Sequence, residues 1–535
     1  MPVVNLAASS FSTTGSISAS SNSLTVANAS GFAVNDYLIV EIGGEAGAGL
    51  RGTIGVGGAW PDLSYSNGTT MAADTSKPDG QFAYRVDTGN VYRSFGGVWE
   101  PQAGVFYYWE KVIPRSLAAR ITAKAGNVLT LDTAAVVTAT NANVYFDNFP
   151  LFEAIAGGVD DTEVVWPTGN FALSDMCWVQ SKFDWHIHGT SKTDTKLFFP
   201  KGISASALIN FSGVSSGNQV SDICVQGNAL SQGYMIAWQP PGTDQTTAVH
   251  HRGISFNSHT NGVITDTKSI NVFTGGASLS YCVNTSVYRH DAVHTEGLLA
   301  YTQWMIQAAD CTGGELVDCT VTCPKLTAGI EWFRSTGGII RDYVGLNATI
   351  AMNTSNDWQI INPNITIEAN SQISETSFSK ANPVIQINTN IGGASTDLGG
   401  TLTNARITIE GYINADNDFP YGIVIGGDNP NVTISGGGYN APDYASPSTL
   451  FGAHAIESSG VNTRVSCFTA TGLVAAGTPT QLRSNIGIVN GSISHCRAWS
   501  IYPAPGVLMN GNGVPTDPLP LACIGTNREF VIHLV

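Results

Sequence analysis

From about residue 160 the chain runs in short alternations of apolar and polar residues, each following a Gly or Asn turn. In order they read "GGELVDCTVTC", "GGIIRDYVGL", "NDWQIINPNITIE", "LTNARITIEGY", "NPNVTISGGGY", "GVNTRVSCFTATGL" and "VNGSISHCRAW". Second short runs lie between them: "GIEWF", "TIAMN", "VIQIN", "GIVIG" and "IGIVN". Period-two alternation bounded by turn residues predicts half-buried strands. Its recurrence at a near-constant spacing predicts a solenoid, and the near absence of helical periodicity excludes leucine-rich and helical repeats. Leu316, Ile340 and Ile360 follow similar turns, with steps of 340−316 = 24 and 360−340 = 20 residues. That length fits one coil of two or three strands. At about 4.8 Å per coil, about 12–14 coils over 160–500 would form a rod about 60–65 Å long. No coil can bury its own apolar face, so the predicted core is continuous along the rod.

The first 150 residues differ. "NSLTVANASGFAVNDYLIVEI" (22–42) and "NVLTLDTAAVVTATNANVYF" (127–146) each hold a short apolar strand, a small-residue turn and a second strand. They predict one small β domain over 1–150, interrupted at about 44–110 by an insertion rich in Gly and aromatics. Within the insertion, "GQFAYRVDTGNVYRSFGGVWEP" reads as two or three strands with DTGN as a hairpin turn. Residues 501–535 read as a short tail or cap.

Composition narrows the function classes. Only 12% of the 535 residues are charged, while 43% are hydrophobic and 59 are Gly. Few charges with ample apolar content describe an ordered β protein with a neutral polar surface, not a disordered chain. A net charge of −16 argues against nucleic-acid binding, which needs basic stripes. It suits a ligand met by hydrogen bonds and aromatic stacking, such as a glycan. No apolar run approaches the roughly 20 residues of a membrane span, so no membrane insertion is expected. The start, "MPVVNLAASSFSTTGS", lacks the basic and apolar regions of a secretory signal, and synthesis in a cytoplasm is expected. Nine cysteines without a CxxC pair read mostly as reduced core residues. Cys319 and Cys323 share a strand face about 13 Å apart, too far for a disulfide.

"VVWPTGNFALSD…WHIHGT…TKLFFP…INFSG…VSDICVQGN" (164–228) resembles the entry into the right-handed parallel β-helix of bacteriophage tailspikes, within the pectin-lyase-like group. The resemblance spans about 160–500 and is carried by strands, Gly-Asn turns and a "PxGxFxL" opening. It implies an all-β chain with a virion-proximal N-terminal domain. It further implies a homotrimer that binds, and often cleaves, a bacterial surface polysaccharide, with phage tail or other virion proteins as partners through that domain. Such a protein would be made in the host cytoplasm, carried on the virion and active outside the cell. A non-catalytic spike that only adsorbs to a glycan and a bacterial polysaccharide lyase are the alternatives. No large domain is expected after about residue 505, so rod faces, N-terminal domain and tail would be expected to hold a trimer.

Three motifs bear on chemistry. "GAGLRG" (47–52) matches GxGxxG, but "TIGVGGAWP" follows it and cannot open a helix, so it reads as a Gly-rich loop. In "FDWHIHG" (183–189) alternation sends Phe183, Trp185 and Ile187 one way and Asp184, His186 and His188 the other. No third ligand is evident, so this reads as a polar outer face; neither a metal nor a cofactor is expected. "RHDAVHTEG" (289–297) gathers two histidines, an aspartate and a glutamate. Matching Leu279 to Leu316 gives a step of 316−279 = 37, and the surplus predicts that 288–303 leaves the rod as a loop beside a groove. There Asp291 and Glu296 are the expected acid–base pair, with His294 as alternative base and Arg289 or Arg334 as charge stabiliser. Aligning the Gly-Gly pairs at 313–314 and 337–338 sets Gln307 beside Glu331 and Asp310 beside Arg334. Glu331 joins the candidate catalytic set, and Arg289, His290, Gln307, Asp310 and Arg334 the candidate substrate contacts. The competing reading is a solvated loop with a structural Asp310–Arg334 pair.

Overall fold

The computed structural model describes residues 2–41, 116–203, 205–227, 252–272, 275–295, 305–353 and 356–366, with short segments between 49 and 112, at 235–236, and between 384 and 510. The dominant body is a right-handed parallel β-helix of three ladders. The first runs from Val3–Asn5 and Glu163–Val165 through His186–His188, Gln219–Ser221, Val263–Thr265, Ser286–Tyr288 and Glu315–Val317, and on to Leu508–Asn510. The second takes Gly169–Ala172, Thr195–Phe198, Cys224–Gln226, Lys268–Ile270, Asp291–Val293 and the first part of Thr320–Phe333. The third takes Cys177–Gln180, Ala207–Ser212, Arg252–Asn257, Ala277–Ser280, Ile306–Ala309 and the last part of Thr320–Phe333, continuing to Ser500–Pro503. The rod sheets thus extend past the expected limit near residue 500.

The inward column of the first ladder shows why this sequence coils. Val164, Ile187, Val220, Ile264, Val287, Leu316, Ile340 and Ile360 lie in register and are all fully buried. Burying each such side chain is worth about 1.5–3 kcal/mol, and only the neighbouring coils can bury it. The corner between the first and second ladders repeats as well. Asp222, Asp266, Arg289, Asp318, Asp342 and Asn362 occupy it with φ between 50° and 54°. Asp and Asn tolerate this left-handed conformation through local hydrogen bonds; Arg289 is the bulky exception. The next residue of each coil points inside, giving the fully buried column Ile223, Thr267, His290, Cys319 and Tyr343.

A closed barrel precedes the rod. Its strands are Ser12–Ile17, Ser23–Val26, Tyr37–Val40, Leu117–Ala125, Val128–Leu131 and Ala139–Phe146, around Leu24, Leu38, Val40, Ile121, Leu129 and Val144. Tyr37–Val40 pairs directly with Leu117–Ala125, so the chain between them leaves the barrel and returns. Phe82–Arg85, Asn90–Phe95 and Val98–Pro101 in that stretch form an antiparallel meander. Asn148 joins barrel to rod: its amide donates to the carbonyls of Ser9, Phe146 and Ala172 and accepts from the Ser9 N–H. The helix Phe149–Ala156 then closes the rod end, with Phe152 stacked at 6.5 Å on Trp166. Among the described residues no helix is long and apolar enough to cross a membrane. Six of the seven described cysteines are buried, and all seven are free thiols.

Candidate functional site

The stretch 289–294 belongs to the rod, and this corrects the expectation of a projecting loop. Asp291–Val293 is a second-ladder strand between Lys268–Ile270 and Thr320–Thr322. The error was one of register: Leu279 stacks on Ala308 in the third ladder, whereas Leu316 stacks on Val287 in the first. Two Gly-Gly turns of similar appearance therefore precede strands of different ladders. Glu296 and the rest of the expected loop, through residue 303, lie outside the described residues.

Each side chain of "RHDAVH" has a structural assignment. Arg289 stands on the corner and grips Asp266 of the preceding coil through Nε and Nη2, both at 2.6 Å, with Thr265 Oγ1 at 2.9 Å. This pairing holds Asp266 below the usual carboxylate range. His290 is wholly buried, its Nδ1 2.8 Å from Thr267 Oγ1 and its Nε2 3.1 Å from Ser269 Oγ. His294 is 2% exposed. Burial pushes both imidazoles down to about 4. The structure thus sets His290 in the core, away from any groove wall, and denies His294 the access a general base needs. Asp291 does face out, paired with Lys192 Nζ at 2.8 Å.

The partners expected one coil further on do meet. Gln307 Nε2 donates to Glu331 Oε2 at 3.1 Å, on the outward side of the third ladder. Arg334 donates to both Asp310 oxygens at 2.7 Å while its guanidinium lies 4.3 Å from the centre of the Phe333 ring. Glu331 is 5% exposed. Asp291 and Glu331 rise from different ladders, and Glu296, the expected partner of Asp291, lies outside the described residues.

Aromatic rings mark the third ladder and the corner that follows it. Trp178 is 46% exposed, with its indole N–H fixed on Ser212 Oγ at 2.6 Å. Phe183 and Tyr281, 38% and 60% exposed, occupy the corner. Phe183 was expected inside; Asp184 at φ 54° breaks the alternation and turns it out. Asn257 pairs across the coils with Ser280, the neighbour of Tyr281, and Asn284 follows Tyr281 three residues on. A cleft of about 260 Å³ also opens where barrel meets rod, between Phe11, Tyr145, Asn170, Lys196, Phe198 and Gln226.

A third constellation was missed in the sequence. Glu163, His186 and His188 meet on the outer face of the first ladder, with one ligand atom from each lying within 4.8 Å of the others. His188 Nε2 is 2.9 Å from Glu163 Oε1, and the two imidazoles stack at 4.5 Å. The signal that could have found Glu163 is the coil return itself, which sets Glu163 opposite His186 in the parallel register.

No protein family matches the chain, and no curated protein matches it either. Among solved structures it is similar to the catalytic domain of a GH87 alpha-1,3-glucanase, at 12% identity over 93% of this chain and 92% of that one, TM-score 0.42. It is also similar to ORF18 of Geobacillus virus E2, at 9% identity over 80% and 72%, TM-score 0.37. A further likeness is to the A-module of the Azotobacter vinelandii mannuronan C-5 epimerase AlgE6, at 10% identity over 69% and 94%, TM-score 0.35. At such identities and scores the assignment of fold rests on the ladders themselves.

Proposed function

We propose that this chain is a tailspike-like receptor-binding protein that adsorbs to, and cleaves, a bacterial surface polysaccharide. In this reading it is a homotrimeric rod carried on a virion through its N-terminal barrel. The observation that carries the proposal is an interrupted strip of exposed rings along the third ladder and its corner, Trp178 and Phe183 on one coil and Tyr281 three coils further on. Arg289 with Asp266, Lys192 with Asp291 and Arg334 with Asp310 neutralise themselves. Beside these pairs, aromatic faces, amides and hydroxyls are the complement of a neutral polyol. Exposed rings held in place offer contact area at little conformational cost. Cleavage draws on a separate feature, the Glu331 carboxyl on the outward side of the third ladder with Gln307 Nε2 as a hydrogen-bond donor, because a carboxyl can act as general acid or base at a glycosidic bond.

Affinity electrophoresis in gels containing polysaccharide extracted from candidate host bacteria tests adsorption. Trp178→Ala and Tyr281→Ala should each lose at least tenfold in retention and remain trimeric in analytical ultracentrifugation. Dissociation of the trimer with unchanged retention per chain would reassign the strip to subunit packing. For cleavage, Glu331→Gln should slow chain shortening by about 10²–10⁴ while binding persists. Full activity in both Glu331→Gln and Asp291→Asn would leave adsorption alone.

A further inference from the structure

The Glu163–His186–His188 cluster lies outside the glycan reading, and its hydrogen bonds leave an electrostatic puzzle. A neutral imidazole carries one N–H and one lone pair. His188 Nδ1 lies 3.0 Å from the Gly189 carbonyl oxygen, an acceptor, while Nε2 lies 2.9 Å from the Glu163 carboxylate, also an acceptor. With Nδ1–H donated to Gly189, the Nε2 lone pair faces a carboxylate oxygen. A second proton, giving a His188–Glu163 ion pair, or a metal cation in its place removes the conflict. His186 is arranged in the same sense. The Ser221 hydroxyl lies 2.8 Å from Asp222 Oδ2 and donates to it, so Ser221 Oγ accepts at 3.0 Å from His186 Nε2–H. That fixes the His186 tautomer and leaves its Nδ1 lone pair free.

We infer that Glu163, His186 and His188 form a binding site for a divalent transition-metal ion, Zn²⁺ in the first instance. The donor set of two imidazoles and one carboxylate is one that zinc accepts. Each histidine hands its other ring nitrogen to a protein acceptor, Gly189 O or Ser221 backed by Asp222, the outer support that orients metal-binding imidazoles. Zinc–nitrogen bonds of about 2.0–2.1 Å set tetrahedral ligand atoms about 3.4 Å apart. The ligand atoms lie within 4.8 Å, so side-chain shifts of about an ångström complete the shell. The histidines sit on one coil and the glutamate on the coil before it. A bound ion would therefore clamp the first two coils of the rod, next to Val3–Asn5, which pairs with Glu163–Val165. With three protein ligands the ion keeps a position open to water.

Isothermal titration of the EDTA-treated full chain with Zn²⁺ tests this, together with Co²⁺ absorption spectra. The expected result is one Zn²⁺ per chain, visible d–d bands of tetrahedral Co²⁺, and a melting temperature that rises with Zn²⁺ concentration. Glu163→Gln, His186→Asn and His188→Gln should each weaken binding at least tenfold, with circular dichroism unchanged. All three side chains are partly exposed, so the variants are expected to fold. Absence of stoichiometric binding would overturn the inference. So would binding that all three substitutions leave intact, since the ion would then be held elsewhere. If one variant misfolds, the Co²⁺ spectra of the other two decide.

Discussion

Two histidine pairs four residues or fewer apart meet opposite fates in this molecule. His290 and His294 flank a strand whose ends turn inward, and both are buried. His186 and His188 lie within one strand, on its outward side, and stay partly exposed. The richer local cluster, with Arg289 and Asp291 beside it, is consumed by the architecture: a corner ion pair, an inside-corner hydrogen bond and a surface salt bridge. The poorer one gains its third member from the coil before it. In a β-helix, residues adjacent along the chain are sent to different sides, and chemistry accumulates between residues one coil apart. Local density of titratable groups is therefore a weak guide to a site in this fold, and coil register a strong one.

The largest effect that separates the two pairs is acid sensitivity. Burial pushes His259, His290 and His294 each down to about 4, against a free value near 6.5. As pH falls, the unfolded chain takes up these protons first. Their stability is complete above about pH 6.5 and is lost as pH falls through about 4, by up to about 3 kcal/mol each. Asp147 has the opposite sign, because burial raises its pKa to about 6 and it costs stability as pH rises through that range. Denaturant midpoints should drop steeply between pH 6.5 and 4, and His290→Gln should flatten the fall. An unchanged slope in that variant would mean that His290 is not held neutral by the core.

A smaller effect comes from truncation at neutral pH without metal. His290→Ala leaves a cavity and strips Thr267 and Ser269 of their partner, an expected loss of about 2–4 kcal/mol. His188→Ala and Asp291→Asn remove partly exposed partners and should cost no more than about 1 kcal/mol. Urea midpoints measure all three, and comparable losses across them would erase the distinction between interior and surface.

Much of the rod was legible, for a physical reason. Leu316, Ile340 and Ile360 stack as their spacing implied, because the same ladder, turn and alternation recur without interruption there. The Gln307–Glu331 and Asp310–Arg334 pairs followed from the same alignment. Leu279 failed because a Gly-Gly turn can precede a third-ladder strand as well as a first-ladder one, and nothing local tells them apart. Phe183 failed because one left-handed residue, Asp184, resets the alternation. Glu163 was invisible because no motif links it to His186; only the return of the chain does.

Chemical labelling tests the central contrast most directly. Brief treatment of the native protein with diethyl pyrocarbonate near pH 7, read residue by residue by mass spectrometry, should modify His186 and His188 and spare His259, His290 and His294. Unfolding in urea should bring all five to similar rates. Modification of His290 and His294 in the native state at the rate of His188 would contradict the account, because it would place "RHDAVHTEG" in solvent and restore it as the exposed loop its coil spacing first suggested.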